Sequence, residues 1–393
     1  QCRTARGHEP ALMQPPPLGL YIHLPWCEKK CPYCDFNSHE ARAIPETEYV
    51  DTLLRDLEKD CALAQGRPVS TLFIGGGTPS LFSARAIDRL LAGIGSLLPL
   101  APDIEATMEA NPGSAEAEKF AGFRAAGINR LSLGVQSFDD ARLEALGRVH
   151  TSDQAAAAIE YARAAGFYSF NIDLMHGLPG QTLAGAESDL NTALGFKPPH
   201  LSWYQLTIEP NTVFHKRPPL LPVEDALADI QDKGEYILAG AGYQQYEVSA
   251  YAAPGYQCRH NLNYWSFGDY LGIGAGAHGK VSFADGRIQR YAKKRQPTDY
   301  LAASGGTFTA NRQDLSVDDR VGEFMLNALR LNGGFSLDHF SATTGLQTDI
   351  ITTTLLRLEG QGLLELEGRQ VRASTLGRRF LNTVVAAFFA GQA

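Results

Sequence analysis

Between Leu18 and Ile208 the chain alternates short apolar runs with amphipathic ones, and no other feature narrows its fold so far. Leu18 to Leu24 reads as a strand and Glu46 to Leu63 as a helix. Thr71 to Ile74 is the second strand and Ala84 to Leu98 the second helix. Ile104 to Glu109 follows as a strand, then a helix from Ser114 to Ala126, with Ser114 as N-cap and Glu116 and Glu118 in its first turn. Arg130 to Val135, Tyr168 to Leu174 and Leu201 to Ile208 complete six strands, with helices over Thr151 to Ala165 and Leu183 to Leu194 between them. Repeated strand–helix units specify a parallel sheet covered by helices. Right-handed crossovers then lead to a partial (β/α)6 barrel or to an open doubly wound sheet. In both, chemistry gathers where the strands end. Strand one runs into three cysteines and strand two into Gly75-Gly76-Gly77-Thr78. Strand three ends at Glu109-Ala110-Asn111-Pro112 and strand four at Gln136-Ser137, while strand five carries Asp173. A sequence with only structural duties would scatter such residues.

Past Pro210 the alternation weakens, and the Tyr- and Gly-dense stretch Gly242 to Tyr270 suggests short strands and turns. From Ser316 on, helical runs at Val317–Leu331, Leu337–Thr344 and Asp349–Gln361 precede a hairpin, Leu363 to Val371, with Glu367-Gly368 at its turn. Three helices and a hairpin predict a winged-helix-like domain that is not markedly basic and so has a packing role. The expected division is a flexible N-terminal extension (1–17), the partial barrel (18–215), an accessory segment (216–310) and the winged-helix-like domain (311–393).

With 35 basic and 43 acidic residues the net charge is -8, which argues against a nucleic-acid-coating protein, since counterion release needs clustered Lys and Arg. No run of about 18 apolar residues occurs, so no transmembrane segment is expected. Gln1 to Pro17 lacks the apolar core of a secretion signal. Met13, just before Gln14-Pro15-Pro16-Pro17, marks a natural start, with 1–12 an upstream extension; a short transit remnant is the other reading. The six cysteines stand at 2, 27, 31, 34, 61 and 258. A disulfide framework spreads its cysteines to close long loops, and this distribution does not. A metal or redox role in a reducing compartment is expected.

Cys27-x3-Cys31-x2-Cys34 is the strongest local signal. Three thiolates on one loop can hold three irons of a [4Fe-4S] cluster and leave the fourth open. Structural zinc, with His23 or His39 as fourth ligand, is the plainer alternative, but zinc sites use paired Cys/His motifs and no second pair is evident. The spacing resembles that of the radical S-adenosylmethionine (SAM) superfamily. Gly75-Gly76-Gly77-Thr78-Pro79-Ser80 is similar to the glycine motif of that family beside the methionine end of SAM. There, bare backbone is expected to approach the amino-acid moiety.

Further runs resemble the oxygen-independent coproporphyrinogen III oxidase-like branch. They are Glu109-Ala110-Asn111-Pro112, Leu131 to Phe138, Leu146-Gly147-Arg148-x-His150 and Asn171 to Gly180. The resemblance assigns SAM contacts to Tyr21, Tyr33, Gly77, Thr78, Glu109, Gln136, Arg148 and Asp173, and cluster ligation to Cys27, Cys31 and Cys34. Carboxylates and amides suit an ammonium and ribose hydroxyls, and Arg suits a carboxylate. Each has a plainer role: a surface Arg148, an Asp173 capping a loop, a Gln136 bonding backbone, a Gly77-Thr78 turn.

One departure matters. Oxidising members of the branch carry an extra cysteine two residues after the third, where this chain has Phe36. Cys34-Asp35-Phe36-Asn37 instead resembles the heme chaperone family of the branch, HemW. Cys258-Arg259-His260-Asn261-Leu262-Asn263-Tyr264-Trp265 is similar to the His-Asn-x-x-Tyr-Trp motif of that family. The resemblance implies that His260 ligates heme iron, with Tyr264 and Trp265 on the porphyrin. A strand-end His beside core aromatics is the bland reading, and a small buried residue the plain one for Cys258. Leu271 to Gly279 fits a branch motif and is no nucleotide fold, since it opens no βαβ unit. The resemblance implies heme, heme-acceptor proteins and an electron donor as partners. It also implies a cytoplasmic protein, peripheral at the membrane when delivering heme. An oxygen-independent coproporphyrinogen III dehydrogenase is the rival function, and a radical SAM enzyme on another substrate a second.

Overall fold

The computed structural model describes residues 15–113 and 118–389. The expectations for Met13 and Cys2, and for Ser114 and Glu116 at a helix start, lie outside the described residues. The six strands are β1 (Leu18–Leu24), β2 (Val69–Gly76), β3 (Leu100–Ala110), β4 (Arg130–Gln136), β5 (Ser169–His176) and β6 (His200–Gln205). All five neighbouring pairs are parallel. Between them run α1 (Glu46–Asp60), α2 (Ala84–Leu97), α3 (Phe120–Ala126), α4 (Ser152–Ala164) and α5 (Leu183–Gly195). Thr151 closes a capping box on α4 and Ser83 accepts from Ala86 at the start of α2, so these helices begin where their sequences say. Alternate strand residues such as Leu20, Ile22, Leu131, Leu133 and Ile172 pack outward against the helices as the main core. Each such side chain contributes roughly 1.5–3 kcal/mol on burial.

The stretch after residue 216 differs from its reading. A helix of 17 residues, α6 (Glu224–Gly240), is present where none was expected. Its buried residues are only Ile230, Gly234 and Leu238, a stripe too thin to read, and a Cβ at Gly234 would lie 1.8 Å from the Trp203 ring. Gly242 to Tyr270 holds the short strands β7 (Gln244–Glu247) and β8 (Ala250–Ala252) but also a helix, α7 (Arg259–Trp265), so His260 is helical and not at a strand end. The accessory segment is no separate layer. Its strands β9 (Asp269–Ile273), β10 (His278–Ser282) and β11 (Ile288–Lys293) extend the same sheet, and β12 (Thr309–Asp314), which runs across the expected boundary at 310, adds its edge. The order is β12-β11-β10-β9-β1-β2-β3-β4-β5-β6-β8-β7, with β9 parallel to β1. The ends of that order do not pair among the described residues, so the barrel stays open.

The C-terminal unit has its own core, built on Phe324, Phe335, Phe340, Leu355 and Val371. Helices α8 (Val317–Ala328), α9 (Leu337–Thr344) and α10 (Asp349–Gly360) precede β13 (Leu364–Glu367) and β14 (Gln370–Ala373), a winged-helix-like arrangement as expected. Glu367 pairs with Gln370, so Gly368-Arg369 forms the hairpin turn rather than Glu367-Gly368; Gly368 supplies the positive φ. Helix α8 stops at Ala328, short of the expected Leu331.

Candidate functional site

Every second residue of the parallel strands points into the barrel. Tyr21, Phe73, Glu109, Ser132, Asp173 and Ser202 line a cavity of about 670 Å³. All twelve residues singled out in the sequence border it: Tyr21, Cys27, Cys31, Tyr33, Cys34, Gly77, Thr78, Glu109, Gln136, Arg148, Asp173 and His260. A second cavity of about 560 Å³ adjoins it toward β9–β11 and shares Tyr21, Phe36, Gly76, Glu109 and Tyr264. Phe36 is 61% exposed at the junction.

At the carboxyl ends of the strands, the cysteine loop is held from three sides. Gly77 N–H donates to the Leu24 carbonyl at 2.8 Å and Thr78 N–H to that of Trp26 at 2.7 Å. A Cβ on Gly77 would lie 2.4 Å from the Trp26 oxygen, so this glycine is required by the cysteine loop itself. This is a second demand on the glycine beside the expected approach of an amino-acid ligand, and Gly77 also borders the cavity. Arg148 is no surface residue. It donates to Asn111 Oδ1 at 2.7 Å and the Gly134 carbonyl at 2.8 Å, and reaches Cys31 Sγ at 3.7 Å. From behind, Asn37 donates to the carbonyls of Ala275 and Arg295, both at 2.9 Å.

The donor set suits an iron–sulfur cluster. Thr78 Oγ1 donates to Cys27 Sγ at 3.5 Å, and Ser38 Oγ lies 3.9 Å from Cys34 Sγ, the kind of contact that tunes cluster thiolates. Burial pushes the Cys27 and Cys34 thiols up, which metal ligation reverses. Among the described residues no three His, Cys, Asp or Glu side chains converge as a single metal ion would need. The fourth-ligand candidates for zinc are engaged elsewhere: His23 on Tyr21 and Asn37, His39 on Asn37.

Below the loop, Glu109 accepts from Gly76 N–H at 3.2 Å. Burial, then the charge of Asp173, pushes its carboxyl up to about 7. Asp173 accepts from Asn171 at 2.7 Å and Ser132 at 3.1 Å, and burial raises it also. Gln136 sits at φ 70°, a strained conformation for a side-chain-bearing residue, and accepts from Tyr204 at 2.8 Å. Tyr33 packs on Phe214 with ring centroids 6.3 Å apart.

Helix α7 plugs the amino-terminal end of the barrel. Glu105 of β3 accepts from the first N–H groups of α7, Arg259 at 3.2 Å and His260 at 3.0 Å, and from Cys258 Sγ at 3.7 Å. Cys258 is thus a buried residue whose thiol is pushed up to about 11, first by burial. The His260 ring is 2% exposed, bonds Thr71 Oγ1 through Nδ1 at 2.9 Å and stacks on Phe73 with centroids 5.2 Å apart. Its Nε2 has no partner among the described residues. Burial, then the charge of Arg130, lowers its pKa to about 3, so the ring is neutral.

Sequence reading missed Glu105, Arg130, His200, Ser202 and Tyr204. Their signal was present. Parallel strands covered by helices read as continuous apolar runs, whereas here polar residues recur at every second position: Glu105-x-Thr107-x-Glu109, Arg130-x-Ser132 and His200-x-Ser202-x-Tyr204.

Residues 21–193 match the radical SAM superfamily, and residues 315–380 the HemN C-terminal domain. The heme chaperone HemW of Escherichia coli is 52% identical over 376 residues, 95% of this chain and 99% of that protein. HemW of Haemophilus influenzae is 48% identical (95% and 98%) and that of Bacillus subtilis 35% identical (94% and 98%). Coproporphyrinogen III oxidase (HemN) of Escherichia coli, described as a radical SAM enzyme, superposes with a TM-score of 0.81 at 24% identity, covering 96% of this chain and 91% of that one, and shares the fold. The extent and identity of these matches decide between the two branches that Phe36 separates: the chain belongs to the HemW heme chaperone family of the radical SAM superfamily.

Proposed function

We propose that this protein binds heme and transfers it to acceptor proteins, carrying a [4Fe-4S] cluster on Cys27, Cys31 and Cys34 and SAM beside it. When bound, the cluster supplies an open iron and an exchangeable electron, drawn from a partner electron donor. Around it, Tyr21, Tyr33, Gly77 and Thr78 form the wall toward the loop. Glu109 and Asp173 offer carboxylates to an ammonium and hydroxyls, Gln136 an amide, and Arg148 a guanidinium for a carboxylate. Residues 18–215 hold cluster and SAM, 216–310 supply the heme ligand, and 311–393 pack against them. The protein works in the cytoplasm and meets the membrane peripherally when delivering heme; no helix of the described residues is long and apolar enough to cross one.

The unpartnered, buried Nε2 of His260 carries this reading. In the tautomer whose Nδ1–H donates to Thr71, Nε2 keeps a free lone pair on a residue that borders the cavity, as a neutral imidazole must to ligate iron. Phe36 takes the place of the extra cysteine of the oxidising branch, which weighs against coproporphyrinogen III as substrate. In the test, His260→Ala lowers heme affinity and shifts the Soret band while leaving cluster iron unchanged. Wild type leaves coproporphyrinogen III unconverted with reductant and SAM. Turnover of that substrate, or unaltered heme binding by His260→Ala, would sink the proposal.

A further inference from the structure

Beside His260 the cavity holds a second buried group that the proposed function does not use. Arg130, the first residue of β4, is 3% exposed, borders the cavity, and its Nε has no hydrogen-bond partner among the described residues. A guanidinium taken out of water without its hydrogen bonds costs several kcal/mol. Its neighbours balance the charge without meeting the donors. Glu105 is occupied at the start of α7 by Cys258, Arg259 and His260. Asp173 is occupied by Asn171 and Ser132. Arg130 thus keeps donor capacity within electrostatic reach of an imidazole whose Nε2 is also unpartnered.

A planar guanidinium fork fits a carboxylate with two parallel hydrogen bonds. We propose that Arg130 binds a propionate carboxylate of the porphyrin and so fixes which edge of heme faces the amino-terminal end of the barrel. This rests on the reading of the cavity as a heme site. It adds an anchor on the macrocycle's rim to the ligand on its iron. The other carboxylate that this cavity would receive is that of the methionine moiety of SAM, and the test separates the two.

Heme and its propionate dimethyl ester are titrated into the full-length, cluster-loaded protein. Wild type should prefer heme over the ester by roughly 10- to 100-fold, the range for hydrogen bonds to a charged group. Arg130→Gln should bind both porphyrins alike, at the wild-type level for the ester, with an unshifted Soret band because His260 remains. Arg130→Lys, which keeps the charge and loses the fork, should fall between, and it serves if the glutamine variant does not fold. SAM affinity should be unchanged in both variants. A heme-over-ester preference that persists in Arg130→Gln, or one absent from wild type, overturns the proposal. So does a loss of SAM affinity in the variants without loss of that preference, which would make the methionine carboxylate the ligand. Repeating the titration with iron-free protoporphyrin IX and its ester, read by fluorescence, separates this inference from iron ligation. A preference that depends on Arg130 there upholds the anchor even if His260→Ala leaves heme binding intact.

Discussion

At the carboxyl end of the barrel, Cys27, Cys31 and Cys34 lie on one loop, and one turn, Gly77-Thr78, packs directly against it. At the amino end, Thr71, Glu105, Arg130, His200 and His260 come from four strands and a helix. The three cysteines of the first lie close together in the sequence, although Thr78 N–H to Trp26 braces their loop from a distant segment. The second depends on Glu105 capping a helix more than a hundred residues away. Local motifs therefore announce the first end and only topology assembles the second. The two ends should also fail separately, and the strongest break comes at the cysteines. Cys27→Ala, Cys31→Ala and Cys34→Ala should each abolish the broad visible absorption of anaerobically reconstituted protein, because three ligands leave no spare. Cys61→Ala and Cys258→Ala should retain it. Full absorption in any of the first three would show that the loop does not hold the cluster.

A smaller effect probes the other end. Glu105→Ala removes an acceptor that three donors share at the start of α7. Losing a charged, partly buried acceptor costs roughly 2–3 kcal/mol, read as a lower urea midpoint. Heme affinity should fall with it, since His260 is the second residue of that helix. Cluster absorption should survive. Equal losses of cluster and heme would mean that the two ends are coupled more tightly than their contacts imply.

The same contrast explains what could be read in advance. β1 and the helix Leu337–Thr344 match their expected limits, because apolar runs and caps there act within a few residues. Helix α7 escaped because its cap is Glu105, distant in sequence, and α6 because Gly234 makes room for Trp203 in the middle of a thin apolar stripe. Arg130 was passed over as a strand's first residue. Only the pairing of β4 with β3 and β5 reveals that it points inward with Ser132 while Leu131 and Leu133 face the helices.

The smallest effect is a difference in pH response between the ends. The Glu109 carboxyl titrates near 7, raised by burial and by Asp173. Below that pH it is protonated and neutral, and above it is an anion able to pair with the cationic groups of SAM. If only the anion binds, SAM affinity should fall up to roughly tenfold as pH drops from about 8 to about 6. Glu109→Gln should flatten the response. His260 moves in the opposite sense. With a pKa lowered to about 3, its ring is neutral throughout that range, so no proton has to leave before iron binds. Heme affinity should therefore stay level over the same span. An exposed imidazole, titrating near 6.5, would lose roughly fourfold at about pH 6. Titrations of SAM and heme at the two pH values would check both signs. A heme affinity that falls in step with that of SAM would mean that the iron ligand is an exposed histidine. His260 would then only brace the end of the barrel through Thr71.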